Sequence, residues 1–135
     1  MTLTCEITDS DGNAVSEVPI TVRHEETMLV IRGIVETLME SGGLSAGDIP
    51  QVHRMATAYD GYLDCVAVLA ERGMTSVNAR GETVKRPEVN IMRDSWTQYL
   101  TIAREYGLTP RSRKIVGTDM GDDTGSPLDD FFRGD

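Results

Sequence analysis

Six apolar positions, Val52, Ala56, Tyr59, Leu63, Val66 and Ala70, step by four and three along one uninterrupted stretch. That spacing returns to one side of an α-helix, whereas the sides of a strand alternate at every residue. It predicts a helix over about 46–72. Ser45 followed by Asp48 forms a capping box with Asp in place of the usual Glu. Pro50 then falls near the first turn, where its missing N–H is tolerated, and Gly73 is a natural stop. Sustained over almost three heptads, the stripe suits a long antiparallel helical pair or a contact between copies.

Two further stretches carry the same periodicity. Between about 24 and 41, Met28, Ile31, Val35 and Leu38 define a stripe that Leu29 and Ile34 widen, and Gly42-Gly43 ends it. Between about 87 and 106, Val89, Met92, Trp96, Tyr99, Ala103 and Tyr106 repeat at three and four. Trp96 and Tyr99 on this stripe are expected to pack in the core rather than to stack on bases. Residues 74–86 read as two short extended pieces around Ala79-Arg80-Gly81, a small β-hairpin or ordered loop. Residues 1–22 have strand character in Leu3–Thr8 and Val18–Val22 around Asp9-Ser10-Asp11-Gly12-Asn13, giving either a small hairpin or a mobile acidic arm.

After the third helix, Gly107-Leu108-Thr109-Pro110 is a compact stop-and-restart signal. Gly107 suits the left-handed closing residue, Thr109 can cap a new helix, and Pro110 fits its first turn. A short basic helix over about 110–116 follows, with Arg111, Arg113 and Lys114 close together. The Gly- and Asp-rich residues 117–135 hold few core formers and are expected to be disordered. Both phenylalanines of the chain, Phe131 and Phe132, lie there beside Leu128. Apolar groups in an acidic tail suggest a short motif that docks into a partner groove.

At 135 residues there is chain enough for one core. One Trp, four Tyr and two Phe leave that core aliphatic, which favours packed helices over a β-sandwich. The net charge of −9 is unevenly spread. Residues 1–22 carry four acids and no base, residues 23–116 balance twelve acids with twelve bases, and residues 117–135 carry six acids and only Arg133. The overall sign opposes diffuse binding to nucleic acid but permits a local basic patch on the neutral body.

Cys65 sits among apolar neighbours as a small hydrophobe, and a bridge to Cys5 is not expected in a chain without a signal peptide. No apolar run approaches the roughly 18–20 residues of a membrane span. The expectation is a soluble cytosolic protein. His24, His53, Cys5 and Cys65 lack the near-pair spacing of zinc ligands, so neither a metal nor another cofactor is expected. There is no G-x-x-x-x-G-K-[ST] loop and no legible nucleophilic triad, so no enzyme is expected.

The cations separate into two groups, Arg80, Lys85, Arg86 and Arg93, then Arg104, Arg111, Arg113 and Lys114. Each group is a candidate for phosphate contact. On an isolated chain the same residues could equally be solvated surface paired with Glu82, Glu88, Asp94 and Glu105.

Taken together, several motifs resemble the small terminase subunit of cos-type tailed phages. They are Gly43-Leu44-Ser45 with Asp48-Ile49-Pro50, Ala58-Tyr59-Asp60-Gly61-Tyr62, Gly81-Glu82-Thr83-Val84-Lys85-Arg86-Pro87, and Tyr106-Gly107-Leu108-Thr109-Pro110-Arg111-Ser112-Arg113. The tail Ser126-Pro127-Leu128-Asp129-Asp130-Phe131-Phe132 is similar to the acidic ends of that family. The likeness covers roughly residues 24–132. It departs at residues 1–22, which hold no base where the family more often begins with a basic, Pro-rich arm.

The resemblance implies a mainly α, ring-forming protomer: a helical hairpin, a third long helix, a small β-hairpin in the connection, a short basic C-terminal helix and a disordered acidic tail. It divides into residues 1–22, a body at 23–116 for oligomerisation and DNA engagement, and the tail 117–135. It implies a non-enzymatic ring that recognises double-stranded viral DNA at the packaging initiation site. The ring would recruit and regulate the large ATPase–nuclease subunit, with Leu128, Phe131 and Phe132 as docking residues. Such a protein works in the host cytoplasm and is not expected in the mature virion. The competing reading is a small dimeric helical DNA-binding regulator.

Overall fold

The computed structural model describes residues 1–108. The expected basic helix over 110–116 and the tail 117–135 lie outside the described residues. The chain divides into two compact units, residues 1–100 and 101–135.

The fold is mainly helical with two small antiparallel sheets. Residues 1–22 form a hairpin of β1 (Thr2–Thr8) and β2 (Ala14–Thr21). Its register sets Leu3 opposite Ile20, Cys5 opposite Val18 and Ile7 opposite Ser16 on the inward face. Cys5, Ile7 and Ile20 are buried there, as is Val22 just beyond the strand. Thr2, Thr4 and Glu6 point the other way and are exposed, the period-two alternation of a half-buried sheet. Burying an Ile or Val fully is worth about 1.5–3 kcal/mol, so this acidic segment contributes to the core.

Helix α1 (Glu25–Glu40) packs on α2 (Ile49–Arg72). From α1, Met28, Ile31, Ile34 and Val35 are buried, whereas Leu29, expected on the stripe, is 66% exposed. Gly43 closes α1 by donating to the Leu38 carbonyl at 3.0 Å with φ +94°. A Cβ there would collide with Thr8, so β1 requires glycine at this position as well. Ser45 and Asp48 bond to each other at the entry to α2, around a 3-10 turn at Ala46–Asp48, as the capping-box spacing predicts.

The buried stripe of α2 differs from the expected seam in its second half. Val52 and Ala56 are buried, but beyond Tyr59 the inward residues are Cys65 and Leu69, while Val66 and Ala70 are exposed. The stripe is rotated by one residue. One residue is a turn of about 100°, far more than the ~20° per heptad by which a straight helix drifts from a 3.5-residue repeat, so the packed partners and not the period decide which side is buried. Both cysteines are buried and free.

Two carboxylates of α2 hold the hairpin to the helices. Asp60, 5% exposed, accepts the Arg23 N–H at 2.9 Å and the His24 N–H at 3.3 Å. It thereby places a negative charge at the positive end of α1. One turn later, Asp64 accepts both terminal nitrogens of Arg23, one at 3.0 Å, and meets His24 Nε2 at 2.8 Å. The Arg23 guanidinium, aided by His24, holds the Asp64 carboxyl below the usual range.

Helix α3 (Pro87–Glu105) meets α2 through an aromatic quartet. Tyr59 lies 5.2 Å from Tyr99 and Tyr62 lies 5.3 Å from Trp96, ring centre to ring centre. Tyr59–Tyr62 and Trp96–Tyr99 contacts complete the circuit. The pairing runs antiparallel. Trp96 packs against Tyr62 and Tyr99 but is nevertheless 40% exposed, contrary to the expectation of core packing. At Gly61 a Cβ would sit 3.4 Å from Ser95 Oγ, so the helices approach closely there. Tyr59 also donates its hydroxyl to Glu26 of α1 at 3.0 Å, and burial together with this bond pushes its phenol up to about 12.

In the second unit the described residues hold the end of α3. Leu108 donates to the Ala103 carbonyl at 2.9 Å and Gly107, φ +70°, donates to Arg104 at 3.1 Å. This paired closure is what the Gly107 stop signal predicts.

Candidate nucleic-acid interface

Gly73, φ +81°, ends α2 with its N–H on the Leu69 carbonyl and turns the chain into a second hairpin. Strands β3 (Thr75–Val77) and β4 (Thr83–Lys85) pair Thr75 with Lys85, Ser76 with Val84 and Val77 with Thr83. The expected two extended pieces around Ala79-Arg80-Gly81 are therefore present.

The tip is built by Asn78. Its Oδ1 accepts the N–H of Arg80 at 2.9 Å and of Glu82 at 3.0 Å, and its amide nitrogen donates to the Glu82 carboxylate at 3.2 Å. The Asn78 backbone N–H bonds Glu82 O, and Gly81, φ +81°, returns its N–H to Asn78 O. Such an Asx-centred turn fixes the backbone of Arg80 while leaving its side chain in water. Nothing about charge identifies Asn78; the readable signal is Asn followed three residues later by Gly.

Arg86 closes the base of the hairpin, donating its N–H to Met74 O at 2.8 Å. It directly precedes Pro87, the first residue of α3. A cation opposes the dipole at a helix N-terminus, whereas an anion is favoured there. Its Nε is buried and has no hydrogen-bond partner among the described residues. Lys85 and Arg80 are exposed.

Ion pairs among the described residues join Arg23 and His24 to Asp64. Arg80, Lys85, Arg86 and Arg93 form none with another described residue. The alternative pairing with Glu82, Glu88 or Asp94 is thus absent from these cations. Arg93 donates instead to Asn90, one turn back on α3, at 2.9 Å.

The fold places Arg80, Lys85 and Arg86 on one short hairpin, with Arg93 on the helix that follows. Arg104 is exposed in the second unit. Arg111, Arg113 and Lys114 lie outside the described residues, as do Leu128, Phe131 and Phe132. Among the described residues no group of three His, Cys, Asp or Glu side chains could hold a metal ion. No described helix is long and apolar enough to cross a membrane.

No curated protein and no solved structure matches the chain. The family model for the phage terminase small subunit matches residues 32–123, more than half of the chain and including the whole basic hairpin. The chain therefore belongs to the phage terminase small subunit family, whose role is in phage DNA packaging and whose members are generally the non-catalytic subunit.

Proposed function

We propose that this protein is the non-enzymatic small subunit of a DNA-packaging terminase. It assembles into a ring, engages double-stranded viral DNA at the packaging initiation site, and recruits and regulates the large ATPase–nuclease subunit. The observation that carries the DNA role is the set of cations Arg80, Lys85 and Arg86 on one braced hairpin, without ion-pair partners among the described residues. Unpaired cations need not break an existing bridge to meet a phosphate. Repetition around a ring would turn one small patch into a continuous band, so individually weak interactions add.

Exposed apolar side chains support assembly. Val66 on α2 and Ile91 and Trp96 on α3 are 37%, 49% and 40% exposed. Apolar surface of this kind is characteristic of protein interfaces when it is contiguous. Arg93, Arg104, Arg111, Arg113 and Lys114 extend the DNA-binding set, and Leu128, Phe131 and Phe132 dock the large subunit.

The decisive experiment is charge reversal at Arg80 and Lys85 with DNA retention followed against salt. Retention falls, and the salt slope drops by about one for each phosphate that the variant no longer neutralises. Unchanged retention and slope would move the DNA-binding surface away from this hairpin. Native mass measurement tests assembly, and a strictly monomeric chain at every concentration would refute the ring. Removal of 117–135 should preserve the oligomer and weaken large-subunit stimulation; full stimulation would refute docking through Phe131 and Phe132.

A further inference from the structure

The hairpin of residues 1–22 lies outside the stretch matched to the family, and among the described residues no strand pairs with the outer edge of β1. Met1 and Val22 exchange two hydrogen bonds, Met1 N–H to Val22 O at 3.1 Å and Val22 N–H to Met1 O at 2.9 Å. In an antiparallel ladder, bonded and non-bonded pairs alternate. Leu3–Ile20, Cys5–Val18 and Ile7–Ser16 are therefore the bonded pairs, and Thr2, Thr4 and Glu6 turn their N–H and C=O groups away from β2.

Two further observations agree with this phase. Thr8 sends its N–H outward, to Leu44 O at 2.8 Å. Pro19, opposite Thr4, falls in a non-bonded pair, where its missing donor costs the ladder nothing.

The two edges of the hairpin are thus unequal. Pro19 blunts the outer edge of β2. The outer edge of β1 has neither Pro nor Lys, and its bulge comes only at Ile7/Thr8. Among the described residues Leu44 occupies the Thr8 position alone, leaving the outward donors and acceptors of Thr2, Thr4 and Glu6 without a backbone partner along the rest of the strand. An open edge of this kind is a template for an added strand.

Charge selects the occupant. Glu6 stands directly opposite Glu17 on the exposed face, an unfavourable like-charge pair, and Asp9 and Asp11 follow at the tip. No base lies within residues 1–22. A second copy of β1 would bring the same negative charges against these.

We infer that the outer edge of β1 accepts an extended, lysine- or arginine-bearing peptide as a third strand, whose cations meet Glu6 and Glu17. The inference is independent of the DNA role of the other hairpin.

The test uses the full chain, without an N-terminal tag, and a seven-residue peptide of alternating lysine and valine. Fluorescence anisotropy reads binding, and amide hydrogen exchange reads Thr2, Thr4 and Glu6. Binding should slow exchange at Thr4 and Glu6. It should weaken at least tenfold in Thr4→Pro, which deletes an outward N–H without touching the ladder. It should weaken similarly for wild-type protein when the peptide carries N-methyl groups on its edge-facing amides. The methylated peptide keeps the test sharp if Thr4→Pro disturbs folding.

Equal affinity for the methylated peptide, or binding with no slowed exchange, would reduce the interaction to surface charge and overturn strand addition. Equal affinity for a glutamate–valine peptide would overturn the charge selection. Protection of Thr4 and Glu6 in the protein alone, rising with its concentration, would assign the edge to a second copy instead.

Discussion

The two hairpins of this chain share one tip and differ in almost everything else. Asp9 Oδ1 accepts the N–H of Asp11 and Asn13, both at 2.9 Å, while Asp9 N–H bonds Asn13 O and Gly12 returns its N–H to Asp9 O. Asn78 repeats each of these bonds with Arg80, Glu82 and Gly81. The glycines have φ +85° and +81°. The third tip residue is Asp11 in one and Arg80 in the other. The frame needs only an Asx oxygen and a glycine, so the projecting residue is free to carry either sign. Anchoring differs just as sharply: the first hairpin buries Ile20 completely, whereas the second leaves Val77 68% exposed. One hairpin is part of the core, and the other is carried by it.

That contrast can be broken by substitution. Ile20→Ala should cost about 3 kcal/mol in denaturant unfolding, since it opens a cavity in a fully buried site. Val77→Ala should stay within about 0.5 kcal/mol. Similar costs at both positions would erase the distinction between the hairpins.

Asp60→Ala should cost about 2 kcal/mol, because it strips the acceptor from two amides at the start of α1. Thermal melts would record this, and a neutral result would mean that the Asp60 bonds are dispensable beside Asp64 and the apolar packing.

Gly12→Ala and Gly81→Ala should each cost about 1 kcal/mol, and equally. A Cβ meets nothing within 4 Å at either position, so the left-handed backbone is the sole cause. Unequal costs would show that the two frames are not equivalent.

The smallest effect belongs to Asp64. Its carboxyl titrates lower in the folded chain than in the unfolded one, so its stabilising contribution is present above about pH 4 and fades as acid protonates it. The stability difference between wild type and Asp64→Asn should therefore shrink as pH drops below about 4. A difference independent of pH would remove the charge from the explanation.

Local signals were legible in the sequence wherever the structure is decided locally. Gly107, the Ser45–Asp48 box and Gly73 mark helix ends because capping involves neighbours within one turn. The rotation of the α2 stripe was not legible, because Cys65 and Val66 are both apolar and only the packed partner decides which turns inward. Leu29 is exposed for the same reason. The Asp60 and Asp64 anchors join residues 36–41 positions apart, beyond the reach of any periodicity. Of the candidate interface, Arg80 beside a turn glycine was readable. The absence of ion pairs around it among the described residues was not, since charge composition counts acids without saying where they reach.

The aromatic quartet gives the protein a built-in optical gauge. Trp96 is the chain's sole indole, lying beside Tyr62 and Tyr99 and partly exposed. Its emission responds to any slip of α3 along α2 and to any surface that covers it. Movements of this helix pair can therefore be followed in unlabelled protein, in real time, from its own light.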